Sequence, residues 1–218
     1  MNPFVNIHTH NSRVDNKEFI EIINIDVDNL VNVDVNFLYS IGIHPWNSGI
    51  QEFRGLEAWW LGDINLKAIG ECGIDRACGI DFKIQKDVFI KQIEVSEQYN
   101  KPMIIHAVRS HSDILSIRKE TKAKMPWIIH GFQGNEQIVS QYLRHNIYLS
   151  IGDVLFKNEL CATELLKSIP SERLFLETDD SDRNIVEVYE KTSVLSGRSL
   201  DDLRNVIFNN FVKIFGKI

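Results

Sequence analysis

The chain has 218 residues, 44% of them hydrophobic, which is enough for one compact domain, 1–218, with a full core. Lysine and arginine number 24 against 30 aspartates and glutamates, a formal charge of −6 that excludes a protein coating nucleic acid through a broad basic surface. No apolar stretch approaches the roughly 18 residues of a membrane-spanning helix, and with no secretory leader and no CxxC pair among Cys72, Cys78 and Cys161 the expected compartment is a reducing cytoplasm.

Strand-like and helix-like patterns alternate along the chain. Strands are predicted at residues 4–8, 19–25, 37–43, 67–70, 102–106, 126–130, 147–151 and 173–177. Between the later ones lie amphipathic stretches. Residues 81–99 carry Phe82, Val88, Phe89, Ile93 and Val95 at near-helical spacing, and shorter helices are predicted at 111–122, 135–145 and 161–168. Two more close the chain, 184–195 and 200–215. Gly197 reads as the C-cap of the first, and Ser199 with Asp201 and Asp202 as the acidic N-terminus of the second. Eight strands in regular alternation with helices point to α/β with a parallel sheet closed as a (β/α)8 TIM barrel. The chain is short for that fold, so its loops must be short. Residues 11–36 leave little room for a helix, and an irregular barrel is expected near strands 1 and 2.

Five of these strands end in metal-ligand residue types: His8 and His10, Glu71, His106, His130, and Asp179. In a (β/α)8 barrel all strand C-termini gather on one face, so ligands distant in sequence converge. His8 and His10 are two apart and point to the same side of a strand. Glu71 lies between Gly70 and Gly73, small residues that let backbone approach a ligand closely. Each residue has a plainer alternative. A lone histidine after an apolar strand is often a hydrogen-bonded core residue, Asp179 could cap the helix at 184, and Asp75 could be a turn or cap rather than an outer contact. Six such residues at five strand ends point instead to a centre for two divalent ions and metal-assisted hydrolysis. Glu177 faces the same way as Asp179 on its strand, and burial there would demand a partner. His44 ends a strand at the same face. His111 and His145 read as surface residues.

The ordered set HTH at 8–10, GIHP at 42–45, GECGID at 70–75, IIH at 104–106, HGFQGN at 130–135, LSIG at 149–152 and ETD at 177–179 resembles the TatD family of metal-dependent deoxyribonucleases, within the amidohydrolase-like barrels. The resemblance covers almost the whole chain. It implies a TIM barrel with two metal ions that hydrolyses phosphodiesters. His8, His10 and Asp179 would hold one ion, His106 and His130 the other, and Glu71 would bridge them. Asp179 and Glu71 would be the catalytic carboxylates. The related phosphotriesterases bridge with a carbamylated lysine, and Glu71 in that place favours the TatD side. The chain departs from the family in reading Asp179-Asp180-Ser181-Asp182 where a proline usually follows the final aspartate by two residues, in the short loop that follows, and in the displaced arginine, Arg109.

The expected reaction is hydrolysis of DNA or another phosphodiester at the end of a single strand, with His44 and Arg109 contacting phosphate. Imidazole and carboxylate together suit zinc, manganese, nickel or magnesium. The same centre could instead serve a small ester, amide or phosphoester, or hold metal without catalysis.

Overall fold

The computed structural model describes residues 1–11, 18–26, 37–50 and 62–216. The strands are β1 (Phe4–Thr9), β2 (Phe19–Asp26), β3 (Tyr39–Gly42), β4 (Leu66–Asp75), β5 (Met103–Val108), β6 (Trp127–Ile129), β7 (Ile147–Ile151) and β8 (Leu174–Leu176). The helices among the described residues are α1 (Phe82–Tyr99), α2 (His111–Thr121), α3 (Glu136–Leu143), α4 (Val154–Lys157), α5 (Glu159–Ser168), α6 (Ile185–Ser196) and α7 (Leu200–Phe215). The strands form one eight-stranded sheet in chain order, β1 to β8, and the bridge from Thr9 to Asp179 joins its first and last members. That is the strand order of a (β/α)8 barrel.

Local chemistry sets the helix ends. Asp81 accepts the Lys83 amide to start α1, and Asn135 accepts that of Ile138 to start α3. Asn184 and Glu187 form a reciprocal capping box on α6, which Gly197 closes at φ 71°. Ser199 then opens α7 by accepting the Asp202 amide.

Contacts group the chain into two compact units. The first joins residues 1–23 to 129–218. In it all six residues of β1 are buried, and Tyr189 of α6 reaches the strand twice: its hydroxyl accepts from the Val5 amide at 3.1 Å and donates to the Val5 carbonyl at 3.2 Å. Phe175 of β8 packs against Tyr148 of β7 and Phe215 of α7. The second unit, residues 24–128, is built on β3, β4 and β5, with Phe89 and Ile93 of α1 and Ile114 and Ile117 of α2 fully or nearly fully buried.

One expectation, the extent of β4, is corrected, and another, irregularity near the first strands, is borne out and extended. β4 runs to Asp75 instead of stopping at residue 70. Gly70 and Gly73 are there for the neighbouring strand rather than for a ligand: a Cβ on Gly70 would stand 2.3 Å from the Ile104 carbonyl oxygen, and one on Gly73 2.1 Å from that of His106. Irregularity is also not confined to the first strands. Register slips between Asn6 and Thr9, between Tyr39 and Ser40, and between Ile69 and Cys72. The first slip brackets His8 and the third brackets Glu71, as bulges beside active sites commonly re-aim a side chain. Much of the stretch between strands 1 and 3 lies outside the described residues.

Candidate metal centre

In the first unit β1 and β8 present their ends together. The Asp179 amide donates to the His8 carbonyl and the His10 amide to the Asp179 carbonyl, both at 3.1 Å. Asn6 clamps the intervening residue: its Nδ2 donates to Thr178 Oγ1 at 2.9 Å and its Oδ1 accepts the Thr178 amide at 3.1 Å. Asp179 itself sits at φ 54°, a left-handed conformation that aspartate tolerates better than most residues. As a result His8 Nε2 and His10 Nε2 lie 3.3 and 3.4 Å from Asp179 Oδ1. Burial pushes the Asp179 carboxyl up, but hydrogen bonds from His10 and His8, with the nearby charge of His130, outweigh it and hold the group far below the usual carboxylate range.

His130 follows β6, and its ring lies 4.4 Å from that of His8, tilted by 52°. Its Nδ1 is 3.5 Å from Glu177 Oε1, which also accepts the Gly131 amide at 2.5 Å. Glu177 is 1% exposed, and its Oε2 has no hydrogen-bond partner in the structure. A buried carboxylate with an orphaned oxygen is expensive unless a cation answers it. Donor atoms of His130, Glu177 and Asp179 lie within 4.8 Å of one another, so this donor set fits a divalent ion.

The second unit supplies another set, His44, Glu71 and His106, again with donor atoms within 4.8 Å. Glu71 Oε1 is 2.7 Å from His106 Nδ1 and 3.2 Å from His44 Nε2. The Glu71 backbone is fixed by Asn24, whose Oδ1 accepts the Glu71 amide at 2.7 Å. His106 Nε2 lies 3.4 Å from Asp75 Oδ2, and that oxygen accepts Trp46 Nε1–H at 2.6 Å. Burial raises the Asp75 carboxyl, yet the Trp46 indole, the Ala77 amide and His106 together hold it below the usual range. Asp75 is thus both things the sequence left open, a turn cap through Ala77 and an outer contact through His106. His44 caps a short 3-10 helix, Pro45–Asn47, by accepting the Trp46 amide on Nδ1 at 3.2 Å. In the neutral ring that assignment leaves the proton on Nε2.

All the ligand candidates named from sequence therefore sit at strand ends within one of the two sets. Arg109 sits just past β5, exposed, at φ 51°, and pairs with no described residue. His111 and His145 are half-buried rather than surface residues, and burial lowers the His111 pKa. Trp46, Asn24 and Asn6 were missed. Trp46 alone carried a signal, an aromatic ring directly after the His44-Pro45 pair at a strand end.

Comparison with known proteins adds a family and a fold. A family model described as TatD related DNase matches residues 16–216. The metal-dependent hydrolase YabD of Bacillus subtilis is 35% identical over 154 residues, which cover 67% of this chain and 60% of the relative. The protein named 3′-5′ ssDNA/RNA exonuclease TatD of Escherichia coli is 28% identical over 144 residues, 63% of this chain and 55% of that one. The matched region thus spans less than two thirds of either relative's length. Among solved structures, the TatD homolog YjjV of Escherichia coli superposes with a TM-score of 0.84 at 18% identity, covering 99% of this chain and 98% of the other. At that identity the likeness shows the fold, a TIM barrel.

Proposed function

The chain belongs to the TatD-related DNase family of metal-dependent hydrolases, and from that premise we propose that it hydrolyses phosphodiester bonds of single-stranded nucleic acid, DNA first, as one domain acting in the cytoplasm. No described helix is long and apolar enough to cross a membrane, and Cys72, Cys78 and Cys161 are all free thiols, as a reducing compartment keeps them. The observation that carries the reading is the pair of histidine–carboxylate sets at strand ends, one of them containing a buried carboxylate oxygen with no partner. We assign His8, His10 and Asp179 to one divalent ion and Glu71 and His106 to a second, with His130 a further ligand beside Glu177. Imidazole with carboxylate suits zinc, manganese or nickel better than magnesium.

Ions in such positions lower the pKa of water and neutralise charge on phosphoryl oxygens. Asp179, at the open end of the barrel beside His8 and His10, is the acceptor for the proton of the attacking water. Glu71 holds His106 and His44 on a single oxygen. His44 Nε2–H faces Glu71 Oε1 at 3.2 Å and would be released to donate to a phosphoryl oxygen once an ion takes that carboxylate, and Arg109 is an exposed cation whose planar fork matches phosphate. The test is a screen of metal-loaded protein against single-stranded DNA, RNA, a phosphodiester chromogen, a phosphotriester and simple esters. Turnover of an ester with no phosphodiester cleaved would overturn the proposal.

One observation favours a second reading, hydrolysis of a smaller ester. A pocket of about 150 Å³ in the first unit is lined by Asp153, Glu177, Asp179 and Asp180 against a single cation, Lys157. Ions would neutralise Glu177 and Asp179, but Asp153 and Asp180 still face the one lysine and disfavour a polyanion; the same screen separates the two readings.

A further inference from the structure

Trp46 holds its side chain in the reverse of the usual way. A surface tryptophan ordinarily buries its ring and turns its N–H towards water. Here Nε1 donates inward at 2.6 Å to Asp75, which is only 3% exposed, while 57% of Trp46 itself is exposed. The polar edge is anchored and the apolar face is left to solvent. The mounting is rigid. The Trp46 amide donates to His44, Asn47 Nδ2 donates to Asp26 Oδ2 at 3.0 Å, and Gln92 holds the preceding Ile43 through both its amide and its carbonyl, at 2.7 and 3.2 Å. The ring stands edge-on to His44 at 4.8 Å and lies 6.3 Å from His106. A fixed, open aromatic face therefore adjoins the second set of ligand candidates.

We propose that this face of Trp46 is a stacking platform for an unpaired nucleobase next to the scissile phosphate. The proposal rests on the nuclease reading and gives it a specific contact. Charge argues for it: at −6 the chain offers few cationic contacts to a polyanion beyond the ions and Arg109, so contacts that are not ionic have a larger share of the affinity to supply. Stacking meets that need and accepts any base, because every base has a π face. A base inside a duplex has both faces covered by its stacked neighbours, so the platform selects single strands or strand ends. A ring already fixed before binding loses little entropy when it is covered.

The test compares the metal-loaded parent with Trp46→Ala and Trp46→Phe. Two single-stranded DNA substrates are used, one normal and one with abasic residues at the cleaved end. Stacking on one base should be worth roughly 5- to 150-fold. The parent should favour the normal substrate by that factor, chiefly through KM. Trp46→Ala should lose the preference, read as the ratio of the two substrates within the same variant, so that any loss in kcat from the freed Asp75 falls on both alike. Trp46→Phe keeps a ring but cannot donate to Asp75, and it should keep most of the preference. Fluorescence of the parent that is absent from Trp46→Phe should be quenched when the normal oligonucleotide binds. Equal cleavage of both substrates by the parent would overturn the platform and leave the nuclease reading standing. Trp46→Phe as impaired as Trp46→Ala, with a matching loss of thermal stability, would show that the indole serves only Asp75 and would likewise overturn it. Cleavage of neither DNA would overturn both.

Discussion

Replacing Glu177 with glutamine separates what the carboxylate costs the fold from what it does for metal. The group is 1% exposed, its Oε1 accepts the Gly131 amide at 2.5 Å, and its Oε2 has no hydrogen-bond partner. A buried polar group left unsatisfied costs about 1–3 kcal/mol, more when charged. Glutamine is nearly isosteric and retains the oxygen that Gly131 needs. It replaces the orphaned, charged oxygen with an uncharged amide nitrogen, so the buried charge is removed while the contact to Gly131 is kept. In chelator, Glu177→Gln should therefore be more stable than the parent by about 1–3 kcal/mol, and each kcal/mol should raise Tm by roughly 2–4 °C in a chain of this size. In metal the sign reverses. Loss of a carboxylate that contacts a ligand typically lowers metal affinity by about 10- to 100-fold, so the gain in Tm on adding zinc or manganese should be smaller than for the parent. Thermal and urea unfolding in chelator and across a metal titration read both effects. A variant less stable than the parent in chelator, with an unchanged response to metal, would refute the reasoning.

Elemental analysis after reconstitution should give two divalent ions per chain, and His106→Ala should remove one of them. Asp179→Asn should fold normally, since Leu174–Leu176 supplies the strand packing, and should lose about 10²–10⁴-fold in kcat; near-parental kcat at full metal occupancy would contradict its role as proton acceptor. Gly73→Ala should cost about 3 kcal/mol or more in urea unfolding, because the new Cβ would press on the His106 carbonyl at 2.1 Å from a backbone held at φ 144°. Asp75→Asn carries a pH signature. The folded carboxyl lies below its ordinary value of 3.8, so its contribution to stability is complete above that pH and is lost as pH falls through the lower folded value. The deficit of the variant against the parent in metal-free urea titrations should accordingly be flat near neutrality and shrink below about pH 4.

The ligand candidates His8, His106 and His130 were legible because each follows a run of buried apolar residues, and a polar residue there has few reasons to exist besides a site. Ile7 before His8, Ile105 before His106 and Ile129 before His130 are all buried to within about 1%. What was not legible depends on partners distant in the chain. β4 was ended at residue 70 and Gly70 and Gly73 were read as room for a ligand, whereas the nearness of β5 is what demands them. Asn24 holds the Glu71 amide from 47 residues away, and Asn6 clamps Thr178 from 172 away, pairings that no local pattern announces. Glu177 was suspected of needing a partner, but only its burial shows an oxygen without one.

The stitch between β1 and β8 sets an order of events during synthesis. Thr9 and Asp179 are 170 residues apart, yet they share the bridge that sets His8 and His10 against their carboxylate. At about 5–20 residues per second a ribosome needs roughly 10–30 s to make that span. Through that interval the two histidines are in the nascent chain without the aspartate that would complete their set. Ion capture at such a set would therefore wait until β8 has been made, and any divalent ion taken up earlier by the bare histidine pair would be held by two donors and readily surrendered.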